Sequence, residues 1–259
     1  MIRGLDIFRE RFRSYAGSLV LIGGAACDDW LDRQGLAFRA TKDLDIVLLL
    51  DAVDSKFVAA MRQFVEDGGY EVRQRSTQDA PVLYRFAKPK DQSYPYMLEI
   101  FSRRPDGIAL GDDQTIVPVP TDGGMHSLSA ILLDDTYYDL IRMHSEASDG
   151  IYFATSTALI PLKAKAWMDL RARQANGEQV DARDITKHRG DVFRLAGTLP
   201  GEPGPPLPEQ IRKDISSFLD AFPAGSAEWP SILASIKSTL GGGVTPEALV
   251  TAIRTYFGV

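Results

Sequence analysis

Cysteine is almost missing from this chain. Among 259 residues there is one, Cys27, and there are only three histidines. A single cysteine excludes an intrachain disulfide framework and a zinc site built from several thiolates. It fits a reducing compartment, so a cytoplasmic protein is expected. Cys27 follows two glycines in an apolar stretch, where a small buried hydrophobe is the expected role rather than a nucleophile. His188 has no second histidine near it in the chain, which argues against zinc there. Long hydrophobic runs are also lacking: none reaches the length that spans a bilayer, and no membrane partner is expected. The first residues show no secretory core. Positive charge is not in excess either, with 29 Lys and Arg against 35 Asp and Glu and a formal net charge of -6. Any nucleic-acid contact therefore has to come from a local patch.

What is present reads as a folded α+β (mixed α/β) protein of one large or two ordinary domains, with 44% hydrophobic and 25% charged residues. Apolar periodicity predicts a helix over residues 5–15, a strand over 19–22 and a helix over 24–33. A buried strand over 44–50 and a helix over 54–67 follow, the helix stopping at Gly68-Gly69. Strands are expected at 70–75, 82–87 and 96–101, with a turn at Pro105-Asp106-Gly107. A strand at 126–133, a helix at 134–146 capped by Asp134, and a strand at 151–154 come next. Helices over 157–173 and 184–195 begin a mainly helical half. The Pro/Gly-rich segment 199–206 cannot be regular structure and sets off a tail of three helices, at 208–222, 226–240 and 245–257. The expected division is a first domain over 1–122 and a helical one over 123–259 that completes the site cleft.

One stretch carries most of the chemistry. Leu21-Ile22-Gly23-Gly24 is an apolar strand running into a glycine turn and a helix, whose bare amides suit a phosphate. Asp43-Leu44-Asp45 opens the next strand. Strand side chains alternate, so both carboxylates point the same way. Two acids side by side are unfavourable unless a cation sits between them, and a divalent metal with oxygen ligands answers that need. The competing reading is a solvated strand end. Glu99, the one charge in Tyr96-Met97-Leu98-Glu99-Ile100-Phe101, is the candidate third carboxylate; the alternative is an ordinary exposed-face acid. Neither a Gly-x-x-x-x-Gly-Lys-Ser/Thr nor a Gly-x-Gly-x-x-Gly motif is present, which disfavours P-loop and dinucleotide folds. Trp167, Tyr137 and Tyr138 could stack a base, but core packing is expected of each. Basic residues concentrate in the helices that carry Lys163 and Lys187, forming either a solvated face or a lure for an anion.

In this order the motifs resemble the nucleotidyltransferase superfamily that includes DNA polymerase β. Arg39-Ala40-Thr41-Lys42-Asp43-Leu44-Asp45 resembles more closely the variant found in AbiEii-type toxins of bacterial type IV toxin–antitoxin and abortive-infection systems. The likeness continues through segments 159–170 and 184–195 and covers about residues 15–197. Where the superfamily usually has Gly-Ser, this chain has Gly24 in place of the serine. The resemblance implies a polymerase-β-like core with a mixed sheet. It implies two Mg²⁺ ions held by Asp43, Asp45 and Glu99, and an NTP over Gly23 and Gly24, with Arg39 and Thr41 in the same motif. Lys163, or failing it Lys165, would meet the phosphates, and Asp184 would lie near the site; a snorkelling lysine and a helix cap are the plain alternatives. The implied reaction transfers a nucleotide from the NTP, releases pyrophosphate, and has a tRNA 3′ end as one acceptor and a cognate antitoxin as partner. The alternatives are a non-catalytic nucleotide-binding or antitoxin-like protein, or nucleotidylation of a protein or small molecule.

Overall fold

The protein is described here by a computed structural model covering residues 2–72, 84–105, 116–119 and 129–259. It is a mixed α+β structure. Internal contacts divide it into two units, Met1–Ala26 with Ala40–Ala154, and Cys27–Arg39 with Thr155–Val259. The expected division at 122/123 falls inside the first of them, and the chain crosses between units more than once.

The first unit holds the sheet. Its helices are α1 (Leu5–Phe12), the start of α2 (Gly23–Asp32), α3 (Ser55–Gly68) and α4 (Asp135–Met143). Its strands are β1 (Leu19–Ile22), β2 (Asp43–Leu48), β3 (Glu71–Val72), β4 (Arg85–Ala87), β5 (Met97–Ser102), β6 (Ile116–Pro118), β7 (Ser129–Leu132), β8 (Ser145–Ser148) and β9 (Ile151–Ala154). They join in the order β3-β4-β5-β2-β1-β9-β8, and β7 pairs the end of β5 and carries β6. β1 runs antiparallel to β2, whereas β2 and β5 are parallel, so the sheet is mixed. β1 is buried along its whole length, as its Leu-Val-Leu-Ile sequence requires. β5 alternates half-exposed and buried residues, so one of its faces is apolar and closed while the other is open. Phe8 and Phe12 of α1 meet Phe57 and Phe64 of α3 in an aromatic cluster. The Asp54 carboxylate caps α3 by accepting from Phe57 N at 2.7 Å. Tyr138 is core, as expected, and its hydroxyl accepts from Leu50 N.

Several boundaries differ from expectation. α1 ends at Phe12 and passes into a tighter 3-10 segment, Arg13–Ser18, instead of reaching residue 15. α4 stops at Met143, not 146. Ser145–Ser148 instead forms a hairpin with β9 through Asp149 and Gly150, both at positive φ (48° and 87°). An Asp-Gly pair is the preferred two-residue hairpin turn, and it overrides the helical spacing. Asp106 and Gly107 of the expected turn, and the expected strand residues 73–75, 82–83 and 126–128, lie outside the described residues.

The second unit is helical: α5 (Ser156–Ala175), α6 (Ala182–Ala196), α7 (Glu209–Asp220), α8 (Trp229–Leu240) and α9 (Pro246–Phe257). α5 packs on α6 and α7, while α6 packs also on α8 and α9. Trp167, Phe193, Phe218, Phe222 and Trp229 form a continuous aromatic core. Segment 203–208 is irregular, as its prolines dictate, yet it does not free the tail. Gly204 N donates to Tyr256 O at 2.8 Å, and the Tyr256 hydroxyl is 2.7 Å from Thr157 Oγ1. The three tail helices are thus part of one core. Among the described residues no helix is long and apolar enough to cross a membrane.

Candidate functional site

In the sheet unit, β1 and β2 pair up to Ile22 opposite Asp45, and the next residue, Gly23, leaves the strand at φ 66°. That left-handed conformation favours glycine. A Cβ at Gly23 would also overlap the Asp45 carboxylate, so this acid lies directly against the start of α2. A Cβ at Gly24 would come within 2.5 Å of Thr41 Oγ1. The Thr41 hydroxyl therefore occupies the space a side chain at position 24 would enter. Asp43 and Asp45 are half-exposed, while Leu44 and Ile46 between and beyond them are fully buried, so the two acids share the open face of β2. This is the arrangement the alternation rule requires, with the glycines, Thr41 and the acid pair in one place.

Glu99 stands opposite Asp45 in the parallel β2–β5 register, and Arg85 stands opposite Glu99 across β4 and β5. Laterally paired residues share a face, so Asp45, Glu99 and Arg85 form a row. The third carboxylate is hence on the expected side. Its Oε1, however, accepts from Arg85 Nε at 2.6 Å and also from Nη2. Among the described residues no group of three His, Cys, Asp or Glu side chains is gathered closely enough to hold a metal. Asp43 and Asp45 offer the hard oxygen donors a single divalent cation takes. A second ion would share Glu99 with Arg85, which holds its Oε1.

The other candidates lie in the helical unit and meet a residue that sequence reasoning passed over. Asp191 of α6 is completely buried. Its Oδ1 accepts from Arg39 Nε (3.1 Å) and Arg194 Nη1 (2.7 Å), and its Oδ2 from Arg39 Nη2 at 2.8 Å, with Lys163 Nζ 3.4 Å away. Burial alone would raise its carboxyl pKa; Lys163, Arg39 and Arg194 outweigh this and hold it below the ordinary value. Lys163 is buried in α5, so it is not a snorkelling surface lysine. Lys165 is half-exposed and pairs with Asp169 one turn on, at 3.0 Å. Asp184 lies exposed in the first turn of α6. The aspartate of this helix that meets Lys163 and Arg39 is Asp191, seven residues later. Both acids occupy one face of Asp184-x-x-Lys187-His188-x-x-Asp191, a spacing that marks the face but not the residue, and only the one deeper in the helix is enclosed.

Burial shifts the titration of two further groups. Burial pushes the Cys27 thiol up to about 12, in keeping with its expected structural role. Burial, reinforced by Lys163 and Lys187, pushes His188 down to about 3, so its ring is neutral. Trp167 is buried against Phe218 and Phe222.

Compared with family models, curated proteins and solved structures, the chain matches none of them.

Proposed function

We propose that the sheet unit is the catalytic part of a metal-dependent nucleotidyltransferase, with AbiEii-type toxins as the subgroup it resembles. The observation that carries the reading is the Asp45 carboxylate set against the glycine-led start of α2, with Asp43 beside it on the same open face. Asp43 and Asp45 would hold Mg²⁺. When bound, the cation neutralises the triphosphate and the departing pyrophosphate. The amides that open α2 and the Thr41 hydroxyl orient the phosphate oxygens beside the acids. Gly23 is there because any side chain would displace Asp45. Glu99, whose Oε1 is held by Arg85, would take the acceptor's proton or help to hold a second ion. By the resemblance, the acceptor is an RNA end such as a tRNA 3′ terminus, and a cognate antitoxin is the expected protein partner. Lys163, Arg39 and Asp184 lie in the helical unit, and the proposal does not depend on them.

The test is incubation with labelled NTPs, Mg²⁺ and total RNA. The unaltered protein labels RNA and releases pyrophosphate, and Asp45→Ala loses at least a hundredfold of both, consistent with loss of a metal ligand. Equal labelling by the two proteins would remove Asp45 from catalysis. One observation favours a second reading, a nucleotide-binding protein without transfer activity: Arg85 occupies the third carboxylate. NTP binding without pyrophosphate release over any acceptor tried would select it.

A further inference from the structure

A cavity of about 380 Å³ opens in the helical unit along one face of α6. Its walls carry Arg39, Arg183, Lys187 and Arg194, and Asp191 is the one carboxylate among them. Positions 183, 187, 190 and 194 follow the spacing of a single helical stripe, so three of the four cations are stacked along one side. The carboxylate cannot answer them all. Asp191 is fully buried, and its two oxygens already take Arg39, Arg194 and Lys163. A carboxylate has about four acceptor sites, and here they are engaged from within. Arg194 is committed to the floor, with Nε on Thr239 Oγ1 and Nη2 on Ser235 O. Arg183 and Lys187 form the rim. Lys187 makes no ion pair among the described residues. Arg183 is 90% exposed and forks onto Asp181 with Nε (3.1 Å) and Nη2 (2.9 Å), a pair that faces solvent and that an anion would have to share or displace.

We propose that this cavity is a binding site for phosphate groups. A fork-shaped guanidinium and a mobile ammonium on one wall suit a multiply charged tetrahedral anion better than a single carboxylate. The volume takes a phosphate or short polyphosphate and leaves any attached nucleoside or chain outside. The phosphate can belong to a free nucleotide or to the backbone of an oligonucleotide.

The experiment uses the full chain in EDTA, with pyrophosphate, ATP and a fluorescent single-stranded 12-nucleotide RNA as probes. Anisotropy of the RNA, and its displacement by the other two, report binding. Arg183→Ala/Lys187→Ala weakens binding of the phosphate probes by about tenfold or more, and for the single-stranded RNA lowers the log–log salt slope by about 1.4. Thr186→Glu, which places a carboxylate on the exposed rim, weakens it likewise. Arg171→Ala/Arg173→Ala, a removal of two charges on α5, leaves it unchanged. RNA binding much tighter than ATP assigns the site to a phosphodiester backbone, and ATP or pyrophosphate without RNA assigns it to a free phosphate ligand. No binding by any probe, or equal binding by the Arg183/Lys187 variant, overturns the proposal. The readout needs no turnover, so it stands or falls separately from nucleotide transfer by the sheet unit.

Discussion

Position 24 has no room for a side chain, because Thr41 Oγ1 stands 2.5 Å from where its Cβ would be. Thr41 is β-branched and cannot swing aside cheaply. Gly24→Ser is therefore expected to destabilise the protein by about 1–3 kcal/mol, the usual effect of overpacking. Thr41→Ala made in the same chain should restore most of that loss. Denaturant midpoints of the two singles and the double decide it, and additive effects would break the link between the two residues. At this scale the acid pair was legible, since a strand's period of two fixes which way Asp43 and Asp45 point. Thr41 was legible only as a motif letter. Asp191 was not read as the aspartate that meets Lys163, because Asp184 occupies the same helical face and composition does not tell which end of a helix is enclosed. Burial decides between them, and burial depends on α8 and on residues 37–39.

At the scale of elements, the row of Arg85, Glu99 and Asp45 across β4, β5 and β2 makes a definite demand. If Glu99 serves the cation site, its partner on β4 competes with the metal. Arg85 and Glu99 are 33% and 12% exposed, and a partly solvated pair of this kind contributes about 1 kcal/mol. Arg85→Ala should accordingly tighten Mg²⁺ or Mn²⁺ binding by about fivefold in calorimetric titration. Unchanged affinity would show that Glu99 takes no part. The pairing of β2 with β5 could be guessed from two apolar strands each carrying an acid. Arg85 could not, because a strand reveals its own alternation and not its neighbour's register. The helices were read well where caps exist, as with Thr245, whose hydroxyl accepts from Ala248 N at 3.2 Å. The polar strand β8 was missed, because Ser-Glu-Ala-Ser has no apolar alternation and only the Asp149-Gly150 turn betrays it.

Across the whole molecule, stability should fall with acid earlier than carboxylate titration alone would bring about. His188 has its pKa lowered from 6.5 to about 3 in the folded state, mainly by burial. Between those values the unfolded chain binds a proton that the folded chain refuses, so the folded state loses about 1.4 kcal/mol per pH unit on the way down. Asp191 works in the same sense at lower pH. Its pKa is depressed, so its contribution is complete above about pH 4 and vanishes as pH drops through the lowered value. Urea unfolding at pH 7 and pH 5 should show this loss in the parent chain and a smaller one in His188→Gln. An identical pH dependence in both would assign the loss elsewhere. The α+β class and the existence of a mainly helical half were readable from periodicity. The division into units was not, because residues 27–39 belong with a partner far along the chain, and local pattern contains no trace of it.

That discontinuity bears on how the protein is made. The Arg39–Asp191 bridge joins residues 152 apart, and the bond from Thr239 Oγ1 to Ala37 O spans 202. A peptide that leaves the ribosome early must stay open until nearly the last helix has emerged, and closing loops of that length is slow. Splitting the gene after codon 154 would not give two self-sufficient halves. One fragment would keep a length of chain with nothing to close over it, and the other would inherit Asp191 stripped of its bidentate guanidinium.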